Sequence, residues 1–97
     1  MNTLVFEQDP RAIDLQITDA YLVVRVEEGR TLSIPLEWYP RLSNASVPER
    51  GNWQFFGGGY AIEWPDLGEH IGIEGLIVGR RSGESPLSLQ KWLNDRH

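Results

Sequence analysis

The chain has 97 residues, with no cysteine, two histidines and one lysine. The absence of cysteine excludes a disulfide framework, a thiolate zinc site and a cysteine nucleophile. No apolar run approaches the ~18 residues of a membrane-spanning helix, and the first residues lack the basic and apolar regions of a signal peptide. We therefore expect a cytoplasmic protein without membrane association, and a chain of this length predicts a single domain.

Positive charge is scarce as well. Nine lysine and arginine residues stand against 14 aspartate and glutamate residues, which gives a net charge of −5. This sign does not suit a protein that grips phosphate backbones, so nucleic acid is not an expected partner. An acidic surface is instead steered towards basic proteins, mainly through a faster association rate.

The first third of the chain alternates apolar and polar residues in three segments, 13–17, 21–26 and 31–36. A period of two residues predicts strands with one buried face, and the turn chemistry around Gly29 predicts a hairpin between the second and third strands. The residues predicted to face the core are Ile13, Leu15, Ile17, Leu22, Val24, Val26, Leu32, Ile34 and Leu36.

Later segments mix short helices and strands. Pro40 predicts a helix that ends near Asn44, and the Ser46-to-Glu49 capping-box spacing predicts a helical turn over 47–52. Further elements are predicted as strands at 53–56 and 60–64, a strand or turn at 70–74, a helical turn at 74–78 and a C-terminal helix opened by Ser85 and Pro86. The predicted class is α+β, with one small antiparallel sheet of about five strands. Residues 1–80 are predicted to form the domain, and residues 81–97 a flexible linker with a short C-terminal helix.

Few residue patterns favour catalysis. No serine stands in a nucleophile-elbow pattern with His70, and the three glycines 57–59 lead into a strand pattern, which predicts an open turn and not a phosphate loop. Asp66, Glu69 and His70 lie close in sequence and form an alternative metal- or ligand-binding site. A solvated loop accounts for the same residues, so we predict no enzyme activity and no cofactor.

Aromatic and arginine side chains concentrate in the middle of the chain. Trp, Tyr and Arg are frequent at binding hot spots, and arginine stacks on aromatic rings. Because ten aromatic rings are many for so short a chain, we predict that some of them form an interaction face with neighbouring arginines. The alternative is that the tryptophans are core residues. The residues predicted to bind a partner are Trp38, Tyr39, Arg41, Arg50, Trp53 and Trp64, with Trp92 as an accessory anchor.

Four motifs in order carry a family resemblance. They span residues 36–42 (LEWYPRL), 49–53 (ERGNW), 59–67 (GYAIEWPDL) and 73–79 (IEGLIVG). This order resembles the bacterial domain-of-unknown-function family called "twenty-four forty-two", over roughly residues 10 to 80. The resemblance implies an α+β fold, a cytosolic location and no established activity. It also implies membership of paired small genes with a toxin–antitoxin-like role. Relatives more usually have an acidic residue where His70 stands, which weakens the metal alternative.

These observations together lead to one expectation and one alternative. We expect a non-enzymatic protein-interaction module, in the form of an acidic, antitoxin-like partner of a small basic protein. The alternative is a small ligand- or metal-binding domain that uses Asp66, Glu69 and His70. A homodimer is compatible with an exposed edge of a small sheet and with the C-terminal helix.

Overall fold

The structure is a computed structural model that describes residues 10–96. Its first part is an antiparallel sheet of three strands in the order β1-β2-β3. The strands are β1 (Ala12–Ile17), β2 (Tyr21–Val26) and β3 (Thr31–Pro35). The three predicted strands are confirmed. The hairpin between β2 and β3 turns at Gly29, whose φ of 113° is open to glycine at little cost.

The predicted inward face of this sheet is correct in β2 and wrong at one position in β1. Leu22, Val24 and Val26 are all buried, whereas Ile13 is 51% exposed. The pairing register of β1 shifts between Ala12 and Asp14. Such a bulge adds one residue to a strand and changes which residues face the core. Ala12 is therefore buried in place of Ile13, while Leu15 keeps its inward position.

Short helices connect this sheet to the rest of the molecule. A 3₁₀ turn (Leu36–Trp38) leads into α1 (Pro40–Ser43), and α2 (Val47–Gly51) follows. The predicted capping box is present, because the Ser46 hydroxyl accepts from the Glu49 N–H and the Glu49 carboxylate accepts from the Ser46 N–H. Both helices predicted for this region are confirmed.

A second antiparallel sheet follows in the order β4-β5-β6. Its strands are β4 (Gln54–Phe56), β5 (Ala61–Trp64) and β6 (Glu69–Gly72). The α+β class is confirmed, but the expected single sheet of about five strands is corrected to two sheets of three. Pro35 ends β3, and the chain then runs through helical turns. Because these turns carry the chain away from the edge of β3, the fourth strand begins a sheet of its own.

Glycines 57–59 form the predicted turn between β4 and β5, and all three have positive φ. Gly59 also joins the two sheets, because its carbonyl accepts the Ala12 N–H at 2.7 Å. A Cβ built at Gly59 would lie 2.5 Å from the Ala12 carbonyl oxygen. A side chain there would therefore push the sheets apart.

The C-terminal part contains α3 (Ile73–Ile77), directly after β6, and α4 (Pro86–Asp95). Ser85 caps α4 by accepting the Ser88 N–H. The predicted helical turn and C-terminal helix are thus confirmed, whereas the domain boundary at residue 80 stays a prediction. Within residues 10–96, no helix is long and apolar enough to cross a membrane.

One hydrophobic core lies between the two sheets and the helical turns. Trp64 is its largest fully buried side chain. The other buried members are Ala12, Leu15, Leu22, Val24, Ile34, Leu36, Tyr39, Leu42, Ile62, Leu67, Ile71, Ile73 and Leu76. Because both sheets and the turn between them contribute, the core is completed only when the chain folds as a whole.

We expect Gly59→Ala to destabilise the fold by more than about 2 kcal/mol, because it combines a positive φ with a clash against backbone. Gly58→Ala is the matched control: its φ is also positive, but its Cβ would meet nothing within 4 Å. It should cost only about 1–2 kcal/mol. Urea unfolding of both variants measures the difference, and equal losses would contradict the role given to Gly59.

Candidate interaction surfaces

Trp64 does not belong to an interaction face. It is fully buried in β5, and its indole N–H donates to the Arg50 carbonyl at 3.0 Å. A residue without exposed surface has no contact to offer a partner, so its assignment to the partner-binding set was wrong. Trp64 and Ile62 are two residues apart in β5, so their side chains share a face, and that face points into the core.

Tyr39 is also buried, and its role is internal. The Tyr39 hydroxyl donates to the Arg80 carbonyl at 2.7 Å, across 41 residues of sequence. Burial raises the pKa of the Tyr39 hydroxyl, and the negative charge of Glu69 adds to this effect. Tyr39 thus fastens the segment after α3 to the core, and the prediction that it contacts a partner is corrected.

Arg41 is the most connected of the predicted residues. Its guanidinium donates to both carboxylate oxygens of Glu84, at 2.7 and 2.8 Å, and to the Leu67 carbonyl at 3.0 Å. The Glu84 side chain is only 8% exposed. The hydrogen bond from Arg41 holds the pKa of the Glu84 carboxyl below its ordinary value. The guanidinium of Arg41 also lies 5.3 Å from the centroid of the Trp92 ring.

Trp92, on α4, lies between two arginines. Arg96 approaches the Trp92 ring at 4.2 Å and donates to the Glu49 carboxylate at 2.6 Å. Its hydrogen bond lowers the pKa of Glu49 to about 2. We call Arg41, Glu84, Trp92, Arg96 and Glu49 the C-terminal clamp. The clamp attaches α4 to α1 and α2, so Trp92 serves first as an intramolecular anchor.

Trp38 takes part in the same attachment. Its ring is half-buried, the Arg81 guanidinium stacks on it at 4.3 Å, and its carbonyl accepts the Ser82 N–H at 3.0 Å. Several of the aromatic and arginine residues predicted to bind a partner therefore bind residues 80–96 of the same chain. The flexibility of residues 81–97 stays a prediction. Residues 80–82 contact Trp38 and Tyr39 directly.

Arg50 and Trp53 lie together beside an open groove. The Arg50 guanidinium donates to the Leu42 and Ser43 carbonyls, at 2.8 and 2.9 Å, while the half-buried Trp53 ring lies 5.0 Å from Phe55. We call this region the Trp53 groove. It encloses about 210 Å³ and is lined by Ile17, Thr18, Asp19, Val47, Arg50, Gly51 and Trp53.

The Trp53 groove leaves apolar surface open. Val47 is 76% exposed on the first turn of α2, and Ile17 and Trp53 are half-buried. Sequence reasoning assigned Arg50 and Trp53 to a binding surface but not Ile17 and Val47. Ile17 was expected to face the core because of its strand periodicity, and it packs against the core while it also lines the groove. Val47 lies at a capped helix start, which gives no binding signal.

The three residues of the alternative site are not brought together. Asp66 accepts from the Asn52 amide at 2.8 Å, and His70 lies 3.8 Å from the Glu63 carboxylate and edge-on to Phe56. Glu69 and His70 are neighbours in a strand, so their side chains point to opposite faces of the sheet. Among the residues that the structure describes, no group of three or more His, Cys, Asp or Glu side chains has the arrangement of a metal site. The metal-binding form of this alternative is therefore corrected, whereas its ligand-binding form stays a prediction, because Glu69 and His70 both line one cleft.

A larger cleft lies beside β6. It encloses about 570 Å³ between this strand, α3 and residues 80–83, and we call it the β6 cleft. The polar and charged residues in its lining are Tyr39, Tyr60, Glu69, His70, Glu74, Arg80, Arg81 and Ser82. Sequence reasoning missed the cleft because it interpreted residues 81–83 as part of a linker and did not place them opposite a strand.

The family comparison follows from this geometry and from the motif order. A sequence profile described as "Protein of unknown function (DUF2442)" matches residues 12–82. The chain belongs to this family. The resemblance of the four motifs is thereby confirmed. In this DUF2442 chain the matched residues contain both sheets, the Trp53 groove and most of the β6 cleft, while α4 lies outside them.

A solved structure supports the same fold for the DUF2442 chain. The crystal structure of a protein of unknown function from Rhodospirillum rubrum ATCC 11170 matches with a TM-score of 0.68 and 25% sequence identity. The match covers 79% of this chain and 95% of that chain. No curated protein matches the chain.

We expect Arg41→Lys to destabilise this DUF2442 chain by about 1–2 kcal/mol, because a lysine keeps the charge but loses the bidentate contact with Glu84. Arg25→Lys is the matched control, since Arg25 is exposed on β2. Urea unfolding compares the two variants. Equal stabilities would contradict a structural role for the guanidinium geometry.

The lowered pKa of Glu49 in the C-terminal clamp predicts that the attachment of α4 weakens at acid pH. A lowered carboxyl pKa contributes stability above the unfolded value, about 4.5, and this contribution is lost as the pH falls through the folded value, about 2 for Glu49. The Trp92 indole resonance should therefore shift as the pH is lowered towards about 2. Glu84, whose pKa is also lowered, contributes separately through Arg41, so Glu49→Gln should reduce the shift and leave the part due to Glu84. In Glu28→Gln, which removes an exposed carboxylate of the β2–β3 turn, the full shift should remain. A full shift in Glu49→Gln would refute the assignment.

Proposed function

We propose that this chain is a non-enzymatic protein-interaction module that binds a small basic protein in the bacterial cytoplasm, as the acidic member of an antitoxin-like pair. The observation that carries the proposal is the Trp53 groove. There the fold leaves Val47 76% exposed beside the half-buried Ile17 and Trp53. Exposed apolar side chains grouped around an aromatic ring are typical of interaction sites.

The net charge of the whole chain favours a basic occupant, since the groove lining itself carries one cation and one carboxylate, Arg50 and Asp19. Arg50 directs its donors to the Leu42 and Ser43 carbonyls, so its guanidinium is engaged within the fold. Asp19, on the rim, keeps an exposed carboxylate. The whole chain carries −5, which steers basic proteins towards it and penalises acidic ones.

The shape of the groove supports contact with a protein side chain. Its volume of about 210 Å³ is below the ~300–1,000 Å³ of usual small-molecule pockets. An apolar side chain inserted between Val47 and Trp53, with a lysine or arginine beside Asp19, would satisfy both the apolar and the charged part of the surface. The partner suggested by the family's paired small genes is the product of the neighbouring gene.

The test is co-purification of the tagged chain with the product of the neighbouring gene. We expect Val47→Arg to reduce capture at least about tenfold, because it removes apolar contact and repels a basic partner. Trp53→Ala should weaken capture as well. The matched control is Leu87→Arg, which makes the same charge change at another exposed residue near a helix start, 81% exposed on α4.

Two results would overturn the proposal. One is the absence of any complex at low ionic strength, where electrostatic steering is strongest. The other is a complex that Val47→Arg and Leu87→Arg weaken equally, since this would mean that charge alone, and not the Trp53 groove, determines binding. Tryptophan fluorescence and thermal unfolding of each variant confirm that the fold is intact.

A further inference from the structure

Among the residues that the structure describes, the two sheets have four edge strands, β1, β3, β4 and β6. Three of them carry features that discourage pairing with another chain. β1 contains the bulge after Ala12, β3 ends at Pro35, and β4 is three residues long. β6 is also short, at four residues, and carries the inward-facing Glu69, but among residues 10–96 its edge borders the open β6 cleft.

The backbone groups of β6 that face away from β5 follow from the hydrogen-bond pattern. The Ile73 N–H donates to the Tyr60 carbonyl at 2.9 Å, so it points towards β5. In an antiparallel ladder, alternate residues point the same way. Ile71 therefore also faces β5, and His70 and Gly72 direct their N–H and carbonyl groups to the free edge.

Glu69 protects this edge. Its side chain lies on the same face as the buried Ile71, and it is half-buried on an edge strand. Burial raises the pKa of the Glu69 carboxyl, while a hydrogen bond from the His70 backbone N–H and the charge of Arg41 oppose this rise. Arg41, however, is engaged by both oxygens of Glu84. An inward-facing carboxylate discourages pairing with an apolar strand, but it would be stabilised by a cation from a partner.

We propose that the β6 cleft binds an extended, lysine- or arginine-containing segment of a basic protein as a fourth strand of the second sheet. The Gly72 N–H and the carbonyls of His70 and Gly72 supply the ladder, and Glu69 and Glu74 receive cationic side chains. The inference rests on the proposed function for the charge of the partner, but it names a surface separate from the Trp53 groove.

The two arginines of the cleft balance the charges of Glu69 and Glu74, so the lining as a whole is neutral and only its β6 side is acidic. The Arg81 guanidinium is stacked on the Trp38 ring at 4.3 Å, on residues that hold the C-terminal segment. Arg80 is exposed and lies beside Gly75 of α3. Glu69 belongs to β6 itself, whereas both arginines lie on the opposite wall, so a strand added to β6 meets the carboxylate first.

Gly72 provides a sharp variant for the test. Its φ of −79° is compatible with proline, and a Cβ there would meet nothing within 4 Å. Gly72→Pro therefore removes the edge N–H while leaving the ladder between β5 and β6 intact. Gly72→Ala is the matched control, because it adds a side-chain carbon and keeps the N–H.

The probe is a six-residue peptide of alternating lysine and valine, acetylated and amidated, titrated into the isotope-labelled chain and followed by NMR. We expect the amide resonances of His70 and Gly72 to shift. Gly72→Pro should bind about tenfold more weakly than Gly72→Ala, which corresponds to one lost hydrogen bond. The same peptide with glutamate in place of lysine should not bind.

A second form of the probe does not depend on any variant folding. Two lysine–valine peptides are compared, each methylated at the alternate backbone nitrogens of one edge. Methylation of the edge that pairs with β6 removes its donors, so at least one of the two peptides should lose binding if the peptide adds as a strand. Unchanged binding of both methylated peptides would overturn the inference. Equal binding by Gly72→Pro and Gly72→Ala, or no binding of the unmethylated peptide, would also overturn it.

Two further results separate this inference from the proposed function. If the neighbouring gene product is captured through the Trp53 groove but the peptide does not shift His70 and Gly72, the cleft proposal alone fails. If these resonances shift when the protein itself is concentrated without peptide, β6 pairs with a second copy of the chain, and the assignment to a basic partner is wrong.

Discussion

Arg41 is the residue on which the arrangement of the surface depends. It joins three parts of the chain, because its guanidinium bonds Glu84 after α3 and the Leu67 carbonyl before β6, and its charge lies over Trp92 of α4. A planar guanidinium donates in several directions at once, which a lysine does not. The C-terminal segment, the β5–β6 turn and α1 are thereby held in one position, and the walls of the β6 cleft follow from it.

Some aromatic and arginine side chains of this chain contact its own C-terminal segment, and others keep surface for a partner. Trp38, Tyr39 and Arg41 bind residues 80–92 of the same molecule, whereas Trp53 keeps surface for a partner. A chain of 97 residues has little volume in which to bury large side chains. Stacking the rings of Trp38 and Trp92 against arginines covers apolar surface without enlarging the core. The two proposed surfaces lie where this covering is absent.

Particular residues show how much of the fold was predictable. Local signals were sufficient for the capping box at Ser46, the positive-φ turn at glycines 57–59 and the start of α4 at Ser85, since each depends on neighbours in the sequence. The sheet count and Ile13 were not predictable in this way. A bulge and the separation of two sheets depend on pairing between distant residues, such as Ala12 with Gly59.

The residue types and their order alone determine the α+β class, the positions of the helices, the acidic charge and the family to which the chain belongs. Tertiary structure decided which aromatic rings are buried, which arginines are engaged and where clefts open. The reason is physical: strand and helix periodicities and caps act over a few residues, whereas burial and ion pairing depend on contacts such as Tyr39 with Arg80, 41 residues apart. Trp64 and Trp53 look alike in the sequence, and only the packing of the second sheet makes one a core residue and leaves the other beside a groove.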